Sequence, residues 1–259
     1  MKNLKFLFLA LIPIIGFSYA FNPNSLTGKQ IMEKVYNAPS PDDTKGKLKM
    51  VLVNRQNETR VRQLSQYIKT EADVEKKIMF FEAPADVKGT SFMNWSYTDG
   101  RSDDQWIYLP ALRRTKRISS DSKSDYFMGS DFTYDDLGDR HPNKDNHKLL
   151  REETIDGKAC YVVESTPKED DYVYSKTVTW VMKDNFLGLK RKFYDEDGDF
   201  LKELNILEYK KIDAYWTILK TEMKNVQKNH KTIMTFTDVE FNTNLPDSKF
   251  TERNMALGR

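Results

Sequence analysis

Ten short runs in which apolar and polar residues alternate, spread from Leu48 to Phe241, constrain this chain more than any other feature. Alternation with period two puts one set of side chains on each face of an extended strand, and a helix cannot use it. Leu48, Met50 and Leu52 alternate with Lys47, Lys49 and Val51; residues 74–81, 91–97 and 105–109 follow. Residues 160–165, 176–182, 188–194, 201–209, 216–223 and 232–241 continue the pattern. Asp99-Gly100 and Asp195-Glu196-Asp197-Gly198-Asp199 supply tight turns between neighbours. Near the start, residues 25–37 read as helix: Ile31 and Val35, Met32 and Tyr36 stand at i,i+4 spacing, Thr27 is placed to cap, and Ala38-Pro39-Ser40-Pro41 ends the run. Ten or eleven strands with short connections form an antiparallel meander, and a sheet that wide curls. The expected fold is mainly β, an incomplete (unclosed) antiparallel barrel with helices packed in its concave side.

The first 20 residues stand apart. Lys2 and Lys5 precede an apolar stretch from Phe6 to Phe17, and Ser18-Tyr19-Ala20 offers small residues, so an export signal cleaved after Ala20 is expected. The apolar stretch is short of the roughly 20 residues that span a membrane. Removing Lys2 and Lys5 leaves 39 basic against 39 acidic residues, a balance that does not make a nucleic-acid footprint. No Gly/Ser tract, Pro-rich spacer or repeat divides residues 21–259, which are read as a single domain. Cys160 is the only cysteine, so no intramolecular disulfide forms; within Ala159-Cys160-Tyr161-Val162-Val163 it reads as a buried strand residue.

The motifs that carry chemistry elsewhere fail here on spacing. His141 and His147 lie six apart in a polar stretch without the thiolates of a structural zinc site. Met128-Gly129-Ser130-Asp131 lacks the glycines on both sides that a nucleophile elbow needs, and reads as a turn whose Ser130 or Asp131 caps a helix-like run at residues 132–137. In the acidic turn, Phe200 and Ile206 occupy the positions where a calcium loop needs Gly and Glu. No cofactor, metal or catalytic group is expected.

What remains is apolar and basic. Met93 and Trp95 share one strand face, Trp106 and Tyr108 another, and Trp180 and Met182 a third. Such stripes make core, or they line a pocket where a curved sheet leaves its concave face unfilled. The run Leu112-Arg113-Arg114-Thr115-Lys116-Arg117-Ile118 makes Arg113, Arg114, Lys116 and Arg117 candidates for headgroup or partner contact; its other reading is an edge strand whose charges discourage aggregation.

Asp86-Val87-Lys88-Gly89-Thr90, Gln105-Trp106-Ile107-Tyr108-Leu109-Pro110-Ala111-Leu112, Lys116-Arg117-Ile118-Ser119 and Phe127-Met128-Gly129-Ser130-Asp131-Phe132 come in an order that resembles the LolA-like family of outer-membrane lipoprotein-sorting proteins. The signature they form spans about 50 residues. The resemblance implies a periplasmic carrier with a hydrophobic cavity for lipid or lipoprotein acyl chains, no catalytic residue, and an association with an RND-type transporter or an outer-membrane acceptor. Two other readings stand beside it. One is a periplasmic adaptor that docks on an envelope transporter complex without carrying cargo. The other is a secreted hydrolase dependent on Ser130.

Overall fold

The computed structural model describes residues 25–258, so the expected export signal lies outside the described residues. Helix α1 (Gly28–Tyr36) starts where the sequence places its cap. The Gln30 amide donates to Thr27 Oγ1 at 3.2 Å, and the Thr27 amide donates to Gln30 Oε1 at 2.9 Å. This reciprocal box satisfies two amides that the first helical turn leaves without carbonyl partners.

Thirteen strands follow: β1 (Asp43–Val53), β2 (Thr59–Thr70), β3 (Val74–Ala83), β4 (Ser91–Tyr97), β5 (Asp104–Leu109), β6 (Arg114–Arg117), β7 (Asp145–Ile155), β8 (Lys158–Pro167), β9 (Lys176–Met182), β10 (Gly188–Tyr194), β11 (Phe200–Ile212), β12 (Tyr215–Asn225) and β13 (His230–Phe241). Helix α2 (Glu252–Leu257) comes last. The strands form one antiparallel sheet in the order β6-β5-β4-β3-β2-β1-β13-β12-β11-β10-β9-β8-β7. Two meanders are thus joined at their first and last strands, where Leu48 faces Phe236 and Met50 faces Met234. The outermost strands, β6 and β7, pair on one side only, so the barrel is unclosed.

Register carries one face across the whole sheet. Phe92 faces Met79, Phe81 faces Leu64, Leu64 faces Leu48, and Met50 faces Met234. Thr232 faces Met223, Met223 faces Leu204, Arg191 faces Thr179, and Thr179 faces Val163. This inner face receives α1, whose Ile31 and Met32 pack on Val163 and Val181. A side chain at Gly28 would meet the backbone of His147, Lys148 and Leu149 at 2.8 Å, so a residue without one lets the helix lie directly on β7.

The segment between β6 and β7 has to travel from one edge of the sheet to the other, and it does so across the inner face. Phe127 packs on Phe81 and Phe92, while Phe132 packs with Phe193, Met223 and Tyr174. Arg62 of β2 donates to the Met128 carbonyl, and the Gln105 amide donates to that of Tyr134 at 2.8 Å. Contacts from one short segment to both β5 and β10 require a strongly curled sheet. A fully buried ammonium ties this crossing down. Lys202 Nζ lies 2.5 Å from Asp136 Oδ2, donates to the Asp131 carbonyl at 3.0 Å, and sits 5.2–5.6 Å from the ring centroids of Tyr126, Tyr174 and Phe193. Asp136 also accepts from the Tyr174 hydroxyl at 2.9 Å and the Thr133 amide at 2.7 Å. Each charge is thereby compensated by hydrogen bonds as well as by its partner, as burial of an ion pair requires.

The outer face of β3–β5 is covered by the C-terminal segment. Asp43 turns that segment inward by accepting from the amides of Thr243 at 2.8 Å and Leu245 at 3.1 Å. Burial pushes its carboxyl pKa up, but these hydrogen bonds outweigh burial and hold it below the ordinary value. Leu245, Phe250 and Met255 then pack on Ile78, Phe80 and Met93.

Three strands exceed the expectation. In β2 the inner face mixes Arg62, Leu64, Gln66 and Ile68, which erases the apolar alternation. β7 is largely exposed and charged, and β6 is the edge strand that the basic run allowed. The helix-like run at residues 132–137 is corrected to a single 3-10 turn, Asp135–Leu137. Asp131 does not cap it, because its carboxylate is engaged by the Thr232 hydroxyl and the His230 ring, both at 2.7 Å. Removing one member of the central ion pair leaves the other buried and uncompensated. Lys202→Ala is expected to cost about 3–5 kcal/mol in urea unfolding, and the double variant Lys202→Met, Asp136→Leu to recover most of it.

Candidate functional site

The central crossing covers much of the inner face and leaves space beside α1 and on toward β1–β3. Three adjoining cavities remain there. The first, 260 Å³, lies between Tyr36 of α1, residues 135–140, Tyr172, Tyr174 and the inner residues Ser165, Thr177, Arg191 and Phe193. The second, 370 Å³, is walled by Val35, Phe186, Leu187, Leu204, Ile206, Trp216 and Ile218. The third, 270 Å³, runs past Ile218 to Met79, Leu137, Met234 and Phe236. Val35, Arg191 and Leu204 line both the first and the second, and Ile218 lines both the second and the third. Together they form one cleft, polar at the first cavity and apolar beyond it.

Two local irregularities shape the apolar part. The β11–β12 pairing slips between Ile206 and Tyr209, and beyond this bulge Ile218 and Trp216 join the lining. Both are exposed, Trp216 to 43%, which is unusual for side chains of their size beside an apolar cavity. In the turn between β9 and β10, Phe186 holds φ at +58°, a left-handed conformation that bulky residues rarely adopt. Its ring stacks on Tyr161 with centroids 6.5 Å apart, and Lys34 of α1 lies over it at 5.1 Å. Phe186 therefore forms a rigid lip between the helix and the cleft.

The polar part is densely charged and mostly self-compensated. Arg140 makes hydrogen bonds of 2.7–3.1 Å to Asp145, reaches Glu169 at 3.3 Å, and stacks on Tyr172 at 3.6 Å. Asp135 accepts from the Tyr172 hydroxyl, and its carboxyl pKa is raised by burial in spite of that bond. His147 Nε2 lies 2.8 Å from the Pro142 carbonyl and so carries the proton, leaving Nδ1 to accept from Ser165 Oγ at 2.8 Å. Burial holds its pKa below the ordinary histidine value. This Ser–His pair has no carboxylate behind the ring, because Asp145 is held by Arg140, so it fastens β7 to β8. Asp139 is different. Burial, then the charge of Glu75, push its pKa up to about 6, and burial together with Asp139 pushes the Tyr36 hydroxyl to about 12.

Known proteins with this architecture decide the family. A domain assigned as an outer membrane lipoprotein-sorting protein from Vibrio parahaemolyticus is 35% identical, with a TM-score of 0.83; the match covers 88% of this chain and 98% of that one. The chain belongs to the LolA-like family of outer-membrane lipoprotein-sorting proteins. A DUF1329 family protein from Desulfovibrio piger is 29% identical over 88% of this chain and 97% of that one, with a TM-score of 0.83. A LolA superfamily protein from Nitrosomonas europaea shares the fold at 21% identity and a TM-score of 0.70, over 89% of this chain and all of that one. A family model described as "Uncharacterized protein" matches residues 73–256. A search of curated proteins found no match. The Ser165–His147 pair of this cleft is tied to the Pro142 backbone. No group of three or more His, Cys, Asp or Glu suited to a metal occurs among the described residues.

The sequence-derived candidates fall elsewhere in the LolA-like frame. Register puts Met93, Trp95, Trp106, Tyr108, Trp180 and Met182 all on the outer face. Met93, Trp95, Trp106 and Tyr108 pack with the C-terminal Phe250 and Met255. Trp180 and Met182 pack with Cys160, Val162 and Leu189. The expected concave lining is corrected accordingly: alternation identifies which residues share a face but not which face is the inner one. Arg113, Arg114, Lys116 and Arg117 stand on or beside the edge strand β6, away from the cleft, and Arg117 is paired with Asp104. Ser130 Oγ is buried and bonds only the Phe132 backbone. The residues that do line the cleft, Phe186, Arg191, Leu204, Ile206, Trp216 and Ile218, sit in expected strands and one turn, where a stripe running from Trp216 through Ile218 was the visible signal.

Asp139 gives the cleft a pH signature. The folded protein holds this proton to a higher pH than the unfolded chain, so its ionisation penalises the fold progressively from pH 3.8 to about 6. Asp139→Asn removes that penalty. The gain in Tm of the variant over wild type is expected to be small at the low end of this window and to grow as pH rises through it, read by thermal unfolding across the range.

Proposed function

We propose that this LolA-like protein is a periplasmic carrier that holds an acyl chain of a lipid or lipoprotein in the apolar part of the cleft, between α1, the Phe186 lip and the bulged β11–β12 pair. The observation that carries this reading is the 370 Å³ cavity edged by exposed Trp216 and Ile218, an apolar opening of the kind that binding sites retain. The relatives' description as lipoprotein-sorting proteins and the export signal expected at residues 1–20 support a location in the periplasm. The LolA-like resemblance supports delivery in concert with an RND-type transporter or an outer-membrane acceptor.

A long-chain acyl probe is expected to bind saturably, and lipid is expected to co-purify from the native host by mass spectrometry. Ile218→Glu places a charge in the cavity and is expected to weaken the probe at least tenfold, a loss of about 1.4 kcal/mol. Met93→Ala, on the outer face, leaves probe binding unchanged. Absence of both probe binding and co-purifying lipid would refute the reading.

A contact surface separate from the cleft supports the adaptor as a second reading. Arg113, Arg114 and Lys116 are exposed or nearly so beside Leu112, itself 59% exposed, at the open edge of the sheet. Such a tip suits acidic surfaces, whether of phospholipid headgroups or of a docking protein. Replacing Arg113, Arg114 and Lys116 with Glu is expected to abolish co-sedimentation with anionic vesicles while leaving the acyl probe bound. An adaptor without cargo would lose its envelope partner in crosslinking and show no probe binding in either form.

A further inference from the structure

Of the charged side chains of the cleft, Arg191 and Asp139 make no direct ion pair among the described residues. Arg140 is paired with Asp145 and Glu169, Lys176 with Glu164, Lys190 with Glu203, and Lys77 with Glu75. Arg191 lines both the polar and the apolar cavity, and among the described residues no carboxylate lies within 4.0 Å of it. Its Nε donates to Thr179 Oγ1 at 3.0 Å, and its terminal nitrogens have no protein acceptor among the described residues. A guanidinium offers five N–H donors in a planar fork, so the unmatched part suits two acceptor oxygens held side by side. A second unmet donor lines the apolar cavity: Asn185 Nδ2 is buried without an acceptor. The unsatisfied side-chain groups there are donors, which favours a ligand bringing acceptor oxygens.

The surroundings narrow the class further. Asp136 and Asp145 are neutralised by Lys202 and Arg140, and Asp135 is held by Tyr172. Asp139 lines the same polar cavity without a direct ion pair, Lys77 and Arg191 acting on it only through longer-range charge, and it would repel a second negative charge on the ligand. Beyond Arg191 the apolar part, 370 Å³ continued by 270 Å³ past Ile218, has room for a long alkyl chain.

We infer that the cleft binds a single-chain amphiphile with a compact monoanionic headgroup, a long-chain fatty carboxylate, whose carboxylate Arg191 receives while the chain enters the apolar cavity. The inference rests on the acyl-carrier reading and adds to it the headgroup and the residue that recognises it. Arg191 is also what fixes the orientation, headgroup toward the polar cavity and tail toward Trp216 and Ile218.

The test titrates delipidated full-length protein with palmitate and with the uncharged alcohol of equal chain length, each by displacement of a neutral fluorescent acyl probe. Palmitate is expected to bind at least tenfold more tightly than the alcohol. Arg191→Gln should bring palmitate down to the level of the alcohol without changing the alcohol itself, and Arg191→Lys should restore part of the difference. If the alcohol binds wild type as well as palmitate does, or if Arg191→Gln weakens both alike, the inference falls while the carrier reading stands. If neither ligand displaces a probe, because no probe binds, both fall together.

Discussion

A buried ammonium holds this structure together. Lys202, on β11 in one meander, reaches Asp136 and the Asp131 carbonyl on a segment that begins and ends at the two open edges of the sheet. An unclosed barrel of thirteen strands has to cover a wide inner face, and here a stretch of irregular chain does most of that covering. Irregular backbone inside a protein brings polar groups that must find partners. Arg62, Lys77, Gln105, Thr232 and Lys202 are inner-face side chains that supply them, each from a different strand. The curl of the sheet and the path of the crossing therefore specify one another.

The position of the cleft follows from that arrangement. Phe127 and Phe132 pack the inner face along the crossing, and space remains where the segment turns away at residues 135–140, beneath α1 and on toward Met79 and Met234. The border between the polar and apolar parts is set by where the charged crossing stops. Arg191 sits on this border because β10 passes from beneath the crossing to the apolar wall. Its neighbours Asp135, Asp136 and Asp145 on the polar side are already matched, while its own guanidinium makes no ion pair among the described residues.

Much of the sheet was legible from residue order, and the site was not. Residues 91–97, 176–182 and 188–194 were bounded correctly because clean apolar alternation met turn residues on both sides. Thr27 as the cap of α1 was equally plain. β2 and β7 escaped because an inner position filled by Arg62 or His147 looks like an exposed one until its partner is known. The cavity lining failed for a different reason. Met93, Trp95 and Trp106 are large and apolar because a C-terminal segment some 150 residues away lies on them, and nothing near them in the chain signals which face it covers. Phe186 and Arg191 matter through a backbone angle and a missing partner, neither of which is written in residue type.

The pairing of β1 with β13 at the centre of the sheet has a consequence for how such a chain is delivered. Thr44 lies against Phe241, so nearly the whole length of the polypeptide must be present before the two meanders can be joined. Contacts so distant along the chain form late, since closing that loop costs entropy before any contact is gained. A polypeptide threaded through a membrane from its N-terminus would present β1–β6 first, as a half-sheet with an unpaired strand at its inner edge and an uncovered greasy face. The finished shell is thus out of reach until threading is nearly over, and the pairing that completes the sheet is also the one that delays it.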